Sequence, residues 1–151
     1  MPNSSGYKED KTYPVENITP DEFKHIYSSF GYSSALKQDT ASLSYVAELS
    51  SNLWLLAIDG CLYKEYETKS ISAGRIAPPT EKWIVKILDE AKEENIQVIS
   101  MMHHGLVEHF PLQSTFFPQY LIEDWERLSN LFANNGIKAV FTGHFHANDI
   151  T

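Results

Sequence analysis

The stretch IKAVFTGHFH, residues 137–146, decides how this chain is organised. Its first six residues are mostly apolar and rich in strand formers, which predicts a short β-strand. The turn that follows places His144 and His146 one residue apart, directly behind Gly143. Because alternate residues of an extended backbone point to the same side, this turn is predicted to direct two imidazoles toward one point.

A second stretch of the same design lies upstream. In VISMMHHG, residues 98–105, an apolar run leads directly into His103 and His104. A loop and a helix predicted over about 119–134 separate the two strands, and this is the connection that parallel strands require. The carboxyl ends of both strands are therefore expected at one edge of the sheet, where ligands bind in open α/β sheets.

The remaining elements favour an α/β fold, built as a layered sheet from helix–strand units. Thr19-Pro20-Asp21-Glu22 has the form of a capping box and predicts the start of a helix. Residues 42–49 alternate between apolar and polar and residues 53–58 are apolar throughout, so the two predict a hairpin. Another helix is predicted after Pro78-Pro79-Thr80, with Thr80 as its cap.

Composition limits the possible functions. The length of 151 residues suits a single domain, predicted over residues 19–151 behind a polar, irregular lead-in over residues 1–18. The net charge is -8, so the chain lacks the excess of basic residues with which proteins bind a nucleic acid or an anionic membrane. The lone Cys61 cannot form an internal disulfide. No apolar run approaches the roughly 18 residues that a membrane span needs.

Four histidines at two strand ends indicate metal binding. Neutral imidazole is a common ligand of zinc, iron and manganese-type sites, and three imidazoles could hold one zinc ion with a position left open for water. The alternative is that His103 or His104 packs at a strand end while His144 and His146 are merely exposed. The chain contains no His-Glu-x-x-His, Cys-x-x-Cys, Gly-x-Ser-x-Gly or phosphate-binding glycine-rich loop.

Two further side chains could approach the same edge of the sheet. Asp59 ends the apolar strand, but Asp59-Gly60 is also an ordinary turn sequence. His109 follows the first histidine pair and could meet a substrate, although a solvated loop histidine is the simpler interpretation.

The histidine motifs resemble those of a known family. Residues 101–105, MMHHG, and residues 143–146, GHFH, resemble the last two signature blocks of the calcineurin-like metallophosphoesterases, which include purple acid phosphatases and bacterial phosphohydrolases. Residues 30–45 also resemble the middle of bacterial phosphohydrolases in this group. The resemblance covers about residues 20–149 and implies a β-sandwich flanked by helices, with a two-metal site at the strand ends.

The resemblance also implies a role for each histidine. His103 and His144 would share one metal ion, and His146 would bind the other. His104, as the neighbour of a ligand, is a candidate for substrate contact. The implied cofactors are two divalent or trivalent transition metals, manganese, iron or zinc, which activate a water for attack on phosphorus. The substrate would be a small-molecule phosphoester or a phosphoprotein.

The sequence departs from the family pattern in one large respect. The family also requires an Asp-x-His, a Gly-Asp and an Asn-His block, and none of these occurs in the chain. We therefore expect residues 19–151 to be a C-terminal-side part of such a domain, with weak metal binding and little hydrolysis in isolation. The alternative is a non-catalytic module of the same ancestry that holds one metal ion or binds a partner. An open sheet edge would favour a homodimer.

Overall fold

A mixed β-sheet lies at the centre of the structure. The computed structural model describes residues 5–16, 18–63, 65, 72–146 and 148–151. Three short 3-10 turns occur among the described residues, at Ser28–Phe30, Tyr32–Ser34 and Pro118–Tyr120. The other elements in chain order are β1 (Ser5–Lys8), β2 (Lys11–Pro14), α1 (Pro20–Ile26), β3 (Lys37–Gln38), β4 (Tyr45–Ser50), β5 (Leu53–Ala57), α2 (Pro78–Glu93), β6 (Gln97–Met101), α3 (Gln113–Phe116), α4 (Trp125–Asn134) and β7 (Ile137–Phe141).

The described residues form a five-stranded sheet in the order β3-β4-β5-β6-β7 and a separate two-stranded sheet of β1 and β2. Strand β4 is antiparallel to both β3 and β5, whereas β5, β6 and β7 run parallel to one another. The predicted hairpin and the predicted parallel pair are therefore confirmed, as is the mixed α/β class. The two-sheet sandwich implied by the family resemblance stays a prediction.

The parallel strands are in register at their carboxyl ends. Ala57 of β5 pairs with Met101 of β6, and Met101 pairs with Phe141 of β7. Two backbone hydrogen bonds continue this alignment past the strands, from Ile58 N–H to the Met101 carbonyl and from Met102 N–H to the Phe141 carbonyl, each 2.9 Å long. The residues that follow β5, β6 and β7 therefore lie along one edge of the sheet.

Helices α2 and α4 contribute the apolar side chains that pack with the sheet in the core. Ile84 and Ile87 of α2 and Phe132 of α4 are almost completely buried, together with Leu56 and Val98 of the sheet. Burying each such side chain contributes roughly 1.5–3 kcal/mol to folding. Core packing thus fixes β5, β6 and β7 relative to one another.

Helix α2 begins at Pro78, so the predicted cap at Thr80 is wrong. Its N-cap residue is Ala77, which makes no side-chain capping bond. Pro78 and Pro79 lack the N–H groups that a cap would satisfy, and proline suits the first turn of a helix. The Thr80 hydroxyl instead donates to Oδ2 of the buried Asp39 at 2.7 Å. Thr80 therefore ties α2 to the loop before β4.

Helix α1 has the predicted capping box but ends early. The Thr19 hydroxyl accepts from Glu22 N–H, and the Glu22 carboxylate accepts from Thr19 N–H. In the sequence, Phe23, Ile26, Tyr27 and Phe30 form an apolar stripe at helical spacing, but the helix stops at Ile26 and Gly31 follows at φ 135. Ile26 is 54% exposed and Phe30 is 77% exposed. The stripe therefore remains largely in solvent.

The prediction that residues 1–18 are irregular is wrong for β1 and β2. These strands form a hairpin whose turn residues Glu9 and Asp10 have φ of 52 and 59. Two positive φ values are the geometry of a tight hairpin turn, for which glycine and asparagine are the usual signals. The Tyr7 hydroxyl stabilises the turn by donating to the Asp10 carboxylate at 2.8 Å. Residues 1–4 and 17 lie outside the described residues.

The helices are amphipathic rather than uniformly apolar. Helix α2, with 16 residues, buries Ile84, Ile87, Leu88 and Ala91 and carries charged side chains elsewhere. Within the described ranges, no helix combines the length and the apolar character that crossing a bilayer requires.

Candidate metal centre

The carboxyl ends of β6 and β7 bring three of the predicted histidines together. The ring centroids of His103 and His144 are 4.6 Å apart, those of His104 and His144 are 4.9 Å apart, and those of His103 and His104 are 5.2 Å apart. A hydrogen bond of 2.9 Å from Gly143 N–H to the His103 carbonyl holds the two strand ends side by side. The parallel pairing thus brings His103 and His144 together, whereas the third predicted ligand, His146, is exposed.

His103 and His144 contact each other through ring nitrogens. Nε2 of His103 lies 2.8 Å from Nδ1 of His144, so one of the two rings donates to the other. Two nitrogens on one tetrahedral zinc ion, at about 2.0–2.1 Å from it, are roughly 3.4 Å apart. A rotation that separates the rings by roughly half an ångström would accommodate such an ion. The separation of the two nitrogens is therefore close to that of two ligands on one metal ion.

His104 is enclosed, with only 2% of its surface exposed. Its Nε2 lies 2.8 Å from the Ser72 carbonyl, which requires the proton on Nε2 and leaves a lone pair on Nδ1. Nδ1 is buried and has no hydrogen-bond partner among the described residues. Burial lowers the pKa of His104; the Ser72 carbonyl opposes this effect, and nearby His103 adds to it. His104 is therefore neutral near pH 7, and its substrate contact stays a prediction.

His144 is half-buried and also kept neutral. Burial is the main cause that lowers the pKa of His144, and the neighbouring His104, His103 and His146 lower it further, against an opposing effect of the Gln119 backbone. Its Nε2 has no partner of hydrogen-bond geometry within the described part of the chain. The ring packs against Tyr120, with centroids 4.7 Å apart. Neutral imidazole is the form that binds a metal ion.

His146 is exposed, whereas His144 of the same turn is half-buried. Both residues have left-handed backbone, with φ of 65 for His144 and 56 for His146. Such a conformation costs a non-glycine residue on the order of 1–3 kcal/mol and is concentrated at functional sites. Phe145 N–H donates to the Gly143 carbonyl at 2.7 Å and closes the turn between them. The turn directs His144 inward and leaves His146 exposed.

The described residues do not contain a complete metal site. Among them, no three histidine, cysteine, aspartate or glutamate side chains are grouped closely enough to hold an ion. Asp59, the carboxylate that the sequence predicted could approach this edge, accepts hydrogen bonds from Leu43 N–H, Cys61 N–H and the Tyr63 hydroxyl, as a turn aspartate does. The cluster therefore provides neighbouring imidazole nitrogens without a carboxylate.

His109 contacts the second motif rather than the histidine cluster itself. Its ring stacks on Phe145 at a centroid distance of 5.0 Å and an interplanar angle of 14°. Nδ1 of His109 lies 3.4 Å from an Asp149 carboxylate oxygen. Phe145 also contacts Tyr120 edge-on at 5.6 Å. The sequence singled out His109 but gave no signal for Phe145 or Tyr120, since their roles depend on tertiary packing.

A comparison with known proteins does not assign the chain to a family. Neither the protein-family models nor the curated proteins include a match to this sequence. Membership of the family that the two histidine motifs resemble therefore stays a proposal. Its support is the geometry of the histidine cluster.

Proposed function

We propose that this chain provides histidine ligands for a metal-dependent phosphoester hydrolase of the calcineurin-like type. The substrate is a small-molecule phosphoester or a phosphoprotein. The observation that carries the proposal is the contact of 2.8 Å between Nε2 of His103 and Nδ1 of His144. Two adjacent parallel strands deliver these nitrogens to the sheet edge where ligands of α/β proteins bind.

The chemistry of the donors fits a transition metal. Imidazole nitrogen is a favoured ligand of zinc and iron, and a neutral ring can bind without first losing a proton. His144 has a lowered pKa, caused first by burial, so its ring is neutral near pH 7 and needs to lose no proton before Nδ1 binds a metal ion. Manganese, iron and zinc are the candidate ions.

Each histidine has a distinct proposed task. His103 and His144 hold one ion, while the exposed His146 serves a second. Bound metal ions supply Lewis acidity and an activated water in this class of hydrolysis. They also make the site locally positive. Without them, a chain with a net charge of -8 would repel a phosphoester. His104, packed beneath the pair, holds the two ligand rings in place.

A second candidate is a module that binds a metal ion without catalysis. It is favoured because no carboxylate in the described part of the chain completes a three-ligand group with the His103–His144 pair. Two-metal hydrolases position their ions with carboxylates as well as imidazoles, because a bridging oxygen ligand neutralises the paired charge. With histidines alone, we expect the isolated chain to bind zinc weakly and to hydrolyse phosphoesters slowly at most.

Metal content and hydrolysis are to be measured separately on the full chain. Zinc and manganese binding is followed by calorimetry for the wild type, His103→Ala, His144→Ala and the matched control His25→Ala, an exposed histidine of α1. Hydrolysis of para-nitrophenyl phosphate and its bis-ester is then assayed with each metal. We expect the first two variants to lose binding and the control to retain it.

The outcomes separate the two candidates. Metal-dependent turnover that disappears in His144→Ala supports the hydrolase. Stoichiometric metal binding with no turnover of either ester supports the non-catalytic module. Unchanged metal binding in both His103→Ala and His144→Ala would refute both, because the cluster would then not be the metal site.

A further inference from the structure

An open cleft with an aromatic wall lies beside His103. Its volume is about 340 Å³, and its lining includes Phe23, Tyr32, Tyr45, Asp59, Met101 and His103. We name it the aromatic cleft. We propose that the aromatic cleft binds a quaternary ammonium group of the substrate, so that the natural substrate is a phosphoester of a choline-like alcohol. This inference rests on the proposed function, because it assigns the phosphoryl end of the substrate to the histidine cluster.

The rings of the cleft form a continuous wall. Tyr32 and Tyr45 are 5.0 Å apart between centroids and tilted by 53°, while Phe23 meets Tyr32 edge-on at 6.3 Å. All three side chains are partly exposed. The Tyr32 hydroxyl donates to the Leu43 carbonyl at 3.1 Å, which fixes its ring. Aromatic faces attract cations, and rings arranged around a small space are a common site for quaternary ammonium ligands.

A carboxylate lies next to the rings. Asp59 is held by Leu43 N–H at 3.0 Å and by the Tyr63 hydroxyl at 2.8 Å, so its position is fixed without a cationic partner in these bonds. Burial raises the pKa of Tyr32, and nearby Tyr45 and Asp59 raise it further. The Tyr32 hydroxyl therefore stays neutral while a negative charge lies close to its ring. Both features favour a positively charged ligand.

The shape and charge of the cleft favour a small zwitterionic ester. No lysine or arginine belongs to the described lining of the cleft, so nothing there would attract an anion. Its volume of about 340 Å³ lies at the lower end of the range for ligand pockets and suits a small head group. Both His103 and Asp59 line the cleft. A choline phosphoester carries a phosphoryl group for the histidine cluster and a cationic group for the rings and the carboxylate.

The test compares phosphocholine with neohexyl phosphate, an isostere whose head group is uncharged because carbon replaces the ammonium nitrogen. Affinities are measured by calorimetry on the zinc-loaded full chain. Cation–π contacts predict that phosphocholine binds about 5- to 10-fold more tightly. Tyr45→Leu should abolish this preference, whereas Tyr45→Phe, which keeps the ring, should retain it. Tyr13→Leu, at an exposed tyrosine of β2, is the matched control and should leave the preference unchanged.

A third probe, tetramethylammonium, tests the cleft without any phosphate. Equal binding of the two esters, or a preference that survives Tyr45→Leu, overturns the inference while leaving the proposed function intact. If neither ester binds, the proposed function fails. In that case, tetramethylammonium binding that is lost in Tyr45→Leu still supports the aromatic cleft as an ammonium site, and its absence in the wild type overturns it.

Discussion

The imidazole of His104 packs directly against the backbone of Gly74. A Cβ atom at Gly74 would lie 2.3 Å from Nδ1 of His104, closer than any side chain tolerates. Gly74 also pairs with Cys61 and Ile122 through isolated bridges, so its backbone has little freedom to move. The position of His104, and through it the packing of His103 and His144, therefore depends on a glycine 30 residues earlier in the chain.

We predict that Gly74→Ala destabilises the protein by roughly 1–3 kcal/mol, since it forces a side chain into a filled space. It should also weaken zinc binding, because His104 must shift toward the ligand rings. Urea denaturation and zinc calorimetry are the measurements. Gly143→Ala is the control for stability, as its Cβ would meet the nearest atom at an ordinary 3.7 Å. Equal stabilities of the two variants would contradict the predicted steric conflict.

The buried carboxylate of Asp39 predicts acid sensitivity. Burial alone raises the pKa of Asp39, but hydrogen bonds from Ala41 N–H and the Ser42 and Thr80 hydroxyls outweigh it and hold the pKa below the ordinary 3.8. The unfolded chain thus takes up the proton more readily than the native one. The stabilisation is complete above the unfolded pKa and is lost as pH falls through the native pKa.

We therefore expect Asp39→Asn to lower the free energy of unfolding at pH 7 by roughly 1–3 kcal/mol. The variant should also lose less stability than the wild type between pH 5 and pH 3. The difference between the two losses should be about that expected from the protonation of one carboxyl group. Urea unfolding at several pH values measures both effects. Asp89→Asn, at an exposed aspartate of α2, is the control and should match the wild type throughout.

Local sequence signals predict much of the sheet, and each prediction that failed has an identifiable cause. The apolar runs before His103 and Gly143 are long enough to specify strands, and the helix between them fixes their parallel direction. The β1–β2 hairpin escaped prediction because Glu9 and Asp10 adopt a turn that rarely uses them. The apolar stripe of α1 specified an amphipathic helix, but amphipathicity does not reveal whether another surface covers that face.

Some features of the candidate site could likewise be predicted from the sequence, and others could not. The histidine pairs were visible because each follows directly on a strand. The contacts that orient them were not visible, because the Tyr120 and Gly74 contacts join residues distant in sequence. The left-handed backbone at His144 and His146 also changed the predicted geometry, since an extended pair would have pointed to one side.

We propose that the open edge of the sheet at β7 mediates self-association. Phe141 is 60% exposed at the end of β7, and the outer side of this strand has no neighbour in the sheet of the described residues. Edge strands with apolar side chains favour pairing with another copy. Phe141→Lys should therefore shift sedimentation-velocity profiles from dimer to monomer at micromolar concentration, while Phe30→Lys, at another exposed phenylalanine, should not. A monomeric wild type would contradict this proposal.

Phe145 is expected to position the metal ligands without binding a metal itself. Phe145 lies between His144 and His146 in the sequence. Its ring packs on His109 and Tyr120. Phe145→Ala should lower zinc affinity by about 10-fold, a typical cost of losing a residue that orients a ligand. The zinc stoichiometry should stay unchanged, whereas His144→Ala should reduce it. Calorimetry gives both quantities, with Phe30→Ala as the control. A reduced stoichiometry in Phe145→Ala, or an affinity equal to the wild type, would show that the turn is not held by this packing.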